Sequence, residues 1–328
     1  MMKRMLALLM AALMVILPLT GCAKSGIQTV HLHEVTHSVF YAAQYIAMEK
    51  GYFAEEGLNL VVNFPANTND GISLPAAGKA DLGMYYLQDA ILTAVEEEVP
   101  IVSVGSVTQK SLDVVISLKE SGIETAADLA GKKIGYAGTA LSEAKVECML
   151  EKAGLSADEC ELIDVGFDLL TAITTGQVDA TIGNMVNHEV PQLEEQGIAI
   201  NYFSPTDFGV PEYYELVFLA GRDAVENNPE KLQKFLRAAQ KGFDFMQENP
   251  EEALQILLDH QNAENFPLSP TVEKASMDVL LPAMEREGSP FMAQDISVWQ
   301  ENADWLYEMG LLSKQTDDSH MAVNLLAE

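Results

Sequence analysis

Positive charge is what this chain has least of. Arginine occurs only as Arg4, Arg222, Arg237 and Arg286, and lysine plus arginine number 19 against 49 acidic residues, a net charge of −30. Such a field repels phosphate-rich polymers, so no nucleic-acid partner is expected. Cysteine is scarce as well. Cys22, Cys148 and Cys160 make no CxxC pair, and neither HExxH nor a Cys/His ladder occurs, so no metal site and no cofactor are expected. An oxidising exterior permits a Cys148–Cys160 bridge, with two buried thiols as the alternative. No Ser-His-Asp order, P-loop or pair of catalytic carboxylates stands out, which argues against an enzyme. Proline and glycine are few (13 and 22), while 48% of the chain is apolar, enough for a sizeable core.

The apolar run Leu6–Leu19 follows Lys3 and Arg4 and is too short for the ~20 residues of a bilayer span. It ends in Leu19-Thr20-Gly21-Cys22, which looks like a bacterial lipobox. Residues 1–21 are then a signal peptide, Cys22 the lipidated residue and 22–28 a tether. The expected location is the extracytoplasmic face of the cell membrane, lipid-anchored. An ordinary signal peptide with a chance cysteine is the alternative.

About 300 residues exceed what one core usually serves, so two lobes are expected. Short apolar strands alternate with helical segments, the pattern of α/β folds with largely parallel sheets. The strands are expected at Thr29–His33, Leu58–Phe64, Leu82–Met84, Ile101–Val107, Val114–Leu118, Lys133–Tyr136, Glu161–Val165, Ala180–Gly183, Ala199–Phe203 and Glu215–Ala220. From Pro229 the tail reads as helices, with Pro229 and Pro250 in first turns. The stretch Asp70–Asp81, DGISLPAAGKAD, corresponds to Asp168–Asp179, DLLTAITTGQVD, and a helix-to-strand unit repeated once suggests two similar lobes. Lobe I is expected over 29–115 and 218–328, lobe II over 116–217, with a ligand cleft between them and two linking strands.

The residues His37-Ser38-Val39-Phe40-Tyr41, the element Glu49-Lys50-Gly51-Tyr52-Phe53-Ala54-Glu55-Glu56-Gly57-Leu58 and the stretch Asp128-Leu129-Ala130-Gly131-Lys132-Lys133-Ile134-Gly135 resemble solute-binding proteins of the nitrate/sulfonate/taurine and thiamine-pyrimidine group. Val165-Gly166-Phe167-Asp168-Leu169 and Asn187-His188-Glu189 look most like the branch that binds pyrimidine precursors of thiamine. The resemblance implies a two-lobed type II periplasmic-binding-protein fold. It also implies a monomer that captures a small molecule and hands it to an ABC permease with its ATPase. A fungal pyrimidine synthase shares the fold, but its Cys-rich iron-binding run has no counterpart here.

Loops at strand ends supply the candidate ligand contacts. In the first lobe these are His37, Tyr41, Asn67, Tyr85 and Tyr86, with Thr36 and Ser38 as ligand donors or plain helix caps. The tyrosines suit stacking on a planar ligand, or packing beneath a loop. The second lobe adds Thr139, Asp168, Asn184, Asn187, His188 and Glu189, and Tyr213 and Glu215 precede the return strand. No arginine or lysine falls in these loops. Carboxylates, amides and tyrosines suit a neutral or weakly cationic heterocycle, such as a formyl- or hydroxymethyl-aminopyrimidine. An aliphatic sulfonate, taurine or nitrate is the alternative ligand class.

Overall fold

The computed structural model describes residues 27–34, 38–64, 66–67, 69–166, 168–261, 267–317 and 320–326. The expected signal peptide, Cys22 and nearly all of the tether lie outside the described residues, as do Thr36 and His37.

The chain runs β1 (Gln28–His33), a 3-10 turn (Val39–Tyr41), α1 (Ala42–Glu49), α2 (Tyr52–Glu55), β2 (Leu58–Asn63), α3 (Asp70–Ala76), β3 (Leu82–Tyr86), α4 (Leu87–Glu96) and β4 (Ile101–Ser106). It then crosses into β5 (Asp113–Leu118), β6 (Lys133–Tyr136), α5 (Ala140–Lys152), β7 (Glu161–Asp164), α6 (Leu169–Thr174), β8 (Ala180–Met185), α7 (Glu189–Glu195) and β9 (Ile200–Phe203). A return crossing leads to β10 (Leu216–Gly221) and the helices α8 (Arg222–Asn227), α9 (Pro229–Glu248), α10 (Pro250–Asp259), α11 (Pro270–Met284) and α12 (Ile296–Glu308).

Two five-stranded sheets result, in the orders β2-β1-β3-β10-β4 and β7-β6-β8-β5-β9. The second order is the first repeated, with β6, β7 and β8 standing where β1, β2 and β3 stand. In each sheet the first three strands are parallel, and the strand just past a crossing, β10 or β5, runs antiparallel between two neighbours. Burial follows position. The central strand β10, LVFLAG, is buried throughout, whereas the edge strand β7, ELID, has no buried residue. The crossings fall at 107–112 and 204–215, so the expected lobe junctions at 115/116 and 217/218 sit a few residues inside β5 and β10.

The repeated unit has a shared purpose at its second aspartate. Asp81 Oδ2 accepts the His31 N–H at 2.9 Å while the Asp81 N–H donates to the His31 carbonyl at 3.0 Å. Asp179 treats Lys133 the same way, both bonds being 2.8 Å. Each aspartate therefore pins a parallel neighbour at the point where a new strand begins. The first aspartates differ. Asp70 folds back to accept the Ala66 and Asn67 N–H groups, while Asp168 is exposed at the α6 N-terminus and makes no side-chain cap.

Lobe I owes its core to α1, which packs on α9 and α10. Ala42, Ala43 and Ala47 are buried there, and at Gly242 an added Cβ would lie 2.0 Å from the Ala43 carbonyl oxygen. Backbone, unlike a flexible side-chain tip, cannot step aside cheaply. Gly242→Ala is expected to lower the unfolding free energy by ~2–3 kcal/mol in urea denaturation; an unchanged midpoint would contradict this packing.

Candidate functional site

The carboxyl ends of the strands of both sheets face one another across a cavity of about 200 Å³. Lobe I contributes Ser38, Phe40 and Tyr41 from the turn before α1, Tyr86 from the end of β3, Leu216 from the start of β10, and Ser276 from α11. Lobe II contributes Gly183 and Met185 from β8 and the run Asn187, His188 and Glu189 that opens α7. Another cavity, of about 290 Å³, lies inside lobe I between Leu236, Phe291, Met292 and Leu325. It is away from the strand ends, where ligands of open α/β sheets bind, so the smaller cleft cavity is the candidate site.

Aromatic and polar walls alternate in that cleft. Tyr41 is buried, and Tyr86 meets Tyr85 edge-on with centroids 5.4 Å apart. Glu189 holds its own end of the cleft in place. Its Oε2 accepts the Met185 N–H at 2.7 Å and its Oε1 lies 2.8 Å from His188 Nδ1. Burial works to lower the His188 pKa, but the bond and charge of Glu189, together with Glu273 across the cleft, leave it above the usual histidine value. Two polar atoms in the wall are buried without a partner: Ser38 Oγ and Asn187 Oδ1. The Asn187 amide nitrogen is engaged, donating to Ser276 Oγ at 3.0 Å. Buried polar groups rarely go unpaired, so both atoms stand out beside the cavity.

Of the residues singled out from sequence, the cavity gathers Ser38, Tyr41, Tyr86, Asn187, His188 and Glu189. The others spend their side chains elsewhere. Exposed Asn67 donates to Asp70 in a structural turn, and Thr139 caps α5 by accepting the Ser142 N–H at 3.2 Å. Asn184 is buried and gives its amide to the Thr181 carbonyl and hydroxyl. Tyr85 packs beside Gly71 and Tyr86, and Asp168 stands exposed. His37 lies outside the described residues. Ser38 occupies a cap position without capping anything, which leaves its hydroxyl to the cleft. Ser276 and Lys145 were not singled out, because both lie in helices rather than strand-end loops.

Lys145 belongs to a second polar group, at the hinge. Its ammonium lies 2.7 Å from Asp113 Oδ2, donates to the Tyr213 hydroxyl at 3.0 Å and sits 4.8 Å from that ring's centroid. Glu215 Oε2 accepts the N–H groups of Leu112 (2.6 Å) and Asp113 (3.1 Å), joining the return crossing to the outgoing one. One cation here faces Asp113, Glu215 and Asp89. Burial and the charge of Asp113 push the Glu215 pKa up to about 7, against the pull of Lys145 and the two N–H bonds. Burial also raises Asp89, with Lys145 opposing. The Tyr86 hydroxyl is raised by burial and by the charges of Glu215, Asp89 and Glu189, which ties the hinge to the cleft wall.

The family model that matches is described as NMT1/THI5 like and covers residues 39–253. The chain belongs to the NMT1/THI5-like family. It is 44% identical over 262 residues to the formylaminopyrimidine-binding protein of Halalkalibacterium halodurans, covering 80% of this chain and 79% of that one. It is 30% identical over 233 residues to the 4-amino-5-hydroxymethyl-2-methylpyrimidine phosphate synthase of Aspergillus parasiticus, covering 67% of each. Among solved structures, the periplasmic aliphatic sulphonate-binding protein of Escherichia coli aligns with a TM-score of 0.72 at 18% identity, over 92% of this chain and 94% of that one. That likeness establishes the fold: two α/β lobes of the periplasmic-binding-protein type, as expected from the sequence.

Glu215 gives the fold a pH dependence of definite sign. Its folded pKa of about 7 lies above the ordinary 4.5, so the folded chain holds this proton more tightly than the unfolded one. The resulting stabilisation is complete below about pH 4.5 and is lost as pH rises through about 7. His188, also raised, contributes in the same direction as pH rises past its ordinary 6.5. Urea titrations from pH 5 to 8 are expected to show stability falling with pH, and Glu215→Gln to make that fall shallower. An identical slope in the variant would contradict the assignment.

Proposed function

We propose that this protein is the extracytoplasmic solute-binding component of an ABC importer, and that its cargo is a small amino-bearing heteroaromatic of the thiamine-pyrimidine kind. The observation that carries the ligand reading is the buried carbonyl oxygen of Asn187, a residue lining the cavity, which has no donor among the described residues. An acceptor in that state calls for an N–H group on the ligand. Phe40, Tyr41 and Tyr86 offer flat apolar surface for the ring, and among the described residues neither lysine nor arginine lines the cavity. The volume is below the ~300–1,000 Å³ typical of drug-sized pockets, which suits a single ring. The name of the 44%-identical relative, a formylaminopyrimidine-binding protein, supports the same chemistry.

In this reading the lobes close on the ligand and the complex docks on a membrane permease driven by a cytosolic ATPase. Cys22 carries the lipid that keeps the monomeric receptor beside its transporter, raising its local concentration there. No helix among the described residues is long and apolar enough to cross a membrane. The phosphate synthase likeness spans two thirds of each chain; in this reading the role here is binding without turnover.

A thermal-shift comparison tests the ligand class. Formyl- or hydroxymethyl-aminopyrimidine at a hundredfold excess over its dissociation constant is expected to stabilise the protein by ~2.7 kcal/mol, with taurine, alkanesulfonates and nitrate giving no shift. Stabilisation by the anions alone would overturn the reading.

A further inference from the structure

A primary amide has two edges of opposite polarity, an accepting oxygen and a donating NH₂, and which edge faces a ligand decides what the site accepts. Asn187 sits in the tight turn between β8 and α7, closed by the His188 N–H donating to the Met185 carbonyl at 3.0 Å. The turn fixes where the side chain starts. It does not fix which way the amide faces.

Ser276 does. Its Oγ accepts the Asn187 Nδ2–H at 3.0 Å, and both residues line the cavity. With the nitrogen held there, the oxygen is the edge left without a protein partner. Asn187 is 1% exposed and Ser276 likewise 1%, so water does not compete for the contact.

The partners come from different lobes. Ser276 is on α11, which packs on α10 and the 39–41 turn, while Asn187 opens α7 of lobe II. Ser276 falls at helical spacing with Glu273 on α11 and with Ser269, the residue that caps it. Ser269 Oγ donates to Glu195 Oε1, at the far end of α7, at 2.5 Å. Glu273 is buried, accepts the Val39 N–H at 3.2 Å, and lies close enough to His188 to raise its pKa. This stripe sets the register of α11 against α7 and so brings the serine hydroxyl opposite the amide.

We infer that Ser276 is a positioning residue that turns the Asn187 amide oxygen toward the ligand, so that selection for a ligand N–H donor is assembled only when the lobes meet. The inference rests on the amino-heterocycle reading above. Without the serine, the amide is free to present NH₂ as readily as oxygen, and a ligand offering a carbonyl at the same place binds as well as one offering an amine. An open cleft is therefore unselective, and discrimination arrives with closure.

The test is titration calorimetry of hydroxymethyl-aminopyrimidine and its 4-oxo counterpart on the full mature domain. The wild type is expected to prefer the amine at least tenfold. Ser276→Ala is expected to bring that ratio near one, and Ser276→Thr, which keeps the hydroxyl, to retain it. A wild-type ratio retained in Ser276→Ala, or an equal loss of affinity for both ligands, overturns the positioning role. Binding of neither heterocycle by the wild type overturns the pyrimidine reading instead, and the two failures are thereby told apart.

Discussion

The carboxylate of Glu215 accepts two backbone N–H groups from the outgoing crossing, those of Leu112 and Asp113. These bonds hold side by side the two chain segments that link the sheets. Everything that follows in the molecule presupposes that junction. Because β10 enters lobe I directly beyond Glu215, and β5 enters lobe II from Asp113, the position of each antiparallel strand is set from the same point. Lys145 fastens lobe II's α5 to it through Asp113 and Tyr213. A carboxylate this deeply buried, with Asp113 beside it, keeps its proton up to about pH 7, so the hinge is held by hydrogen bonding as much as by charge.

The repeated sheet order explains why the cleft is lined as it is. In each lobe the three parallel strands end toward the other lobe, and each third strand (β3 or β8) delivers its residues to the cleft. Tyr86 ends β3, while Gly183 and Met185 end β8, with Asn187, His188 and Glu189 just beyond. Two equivalent positions in duplicated lobes therefore face each other, one aromatic and one polar. A planar ligand with polar edges matches that pairing of surfaces.

The strands were legible because their apolar runs are short and bounded by turn residues; Lys133–Tyr136 came out with its expected bounds, and Leu58–Phe64 lost only its last residue. β3 runs two residues further than expected, through Tyr85 and Tyr86, because β10 pairs with it at Leu216↔Tyr86. Nothing local announces that partner, which arrives 130 positions later in the chain. The Asp–Asp repeat was a sound guide to duplication, since Asp81 and Asp179 make equivalent bonds, but Asp70 and Asp168 are used differently. In the site, Asn187, His188 and Glu189 were visible as polar residues just past a strand end. Asn67, Thr139 and Asn184 looked similar but are spent on nearby turns, caps and backbone. Ser276 and Lys145 were invisible to strand-end reasoning, because tertiary packing brings helices α11 and α5 to the cleft and hinge.

The central claim is that a donor-bearing heterocycle is held between aromatic walls from one lobe and a polar run from the other. A crystal structure of the protein with hydroxymethyl-aminopyrimidine tests it most directly. The ring is expected beside Tyr41 and Tyr86, with its exocyclic amine ~2.9–3.0 Å from Asn187 Oδ1. A ligand seated elsewhere, or one whose amine points away from Asn187 while the amide turns its nitrogen inward, would contradict the account.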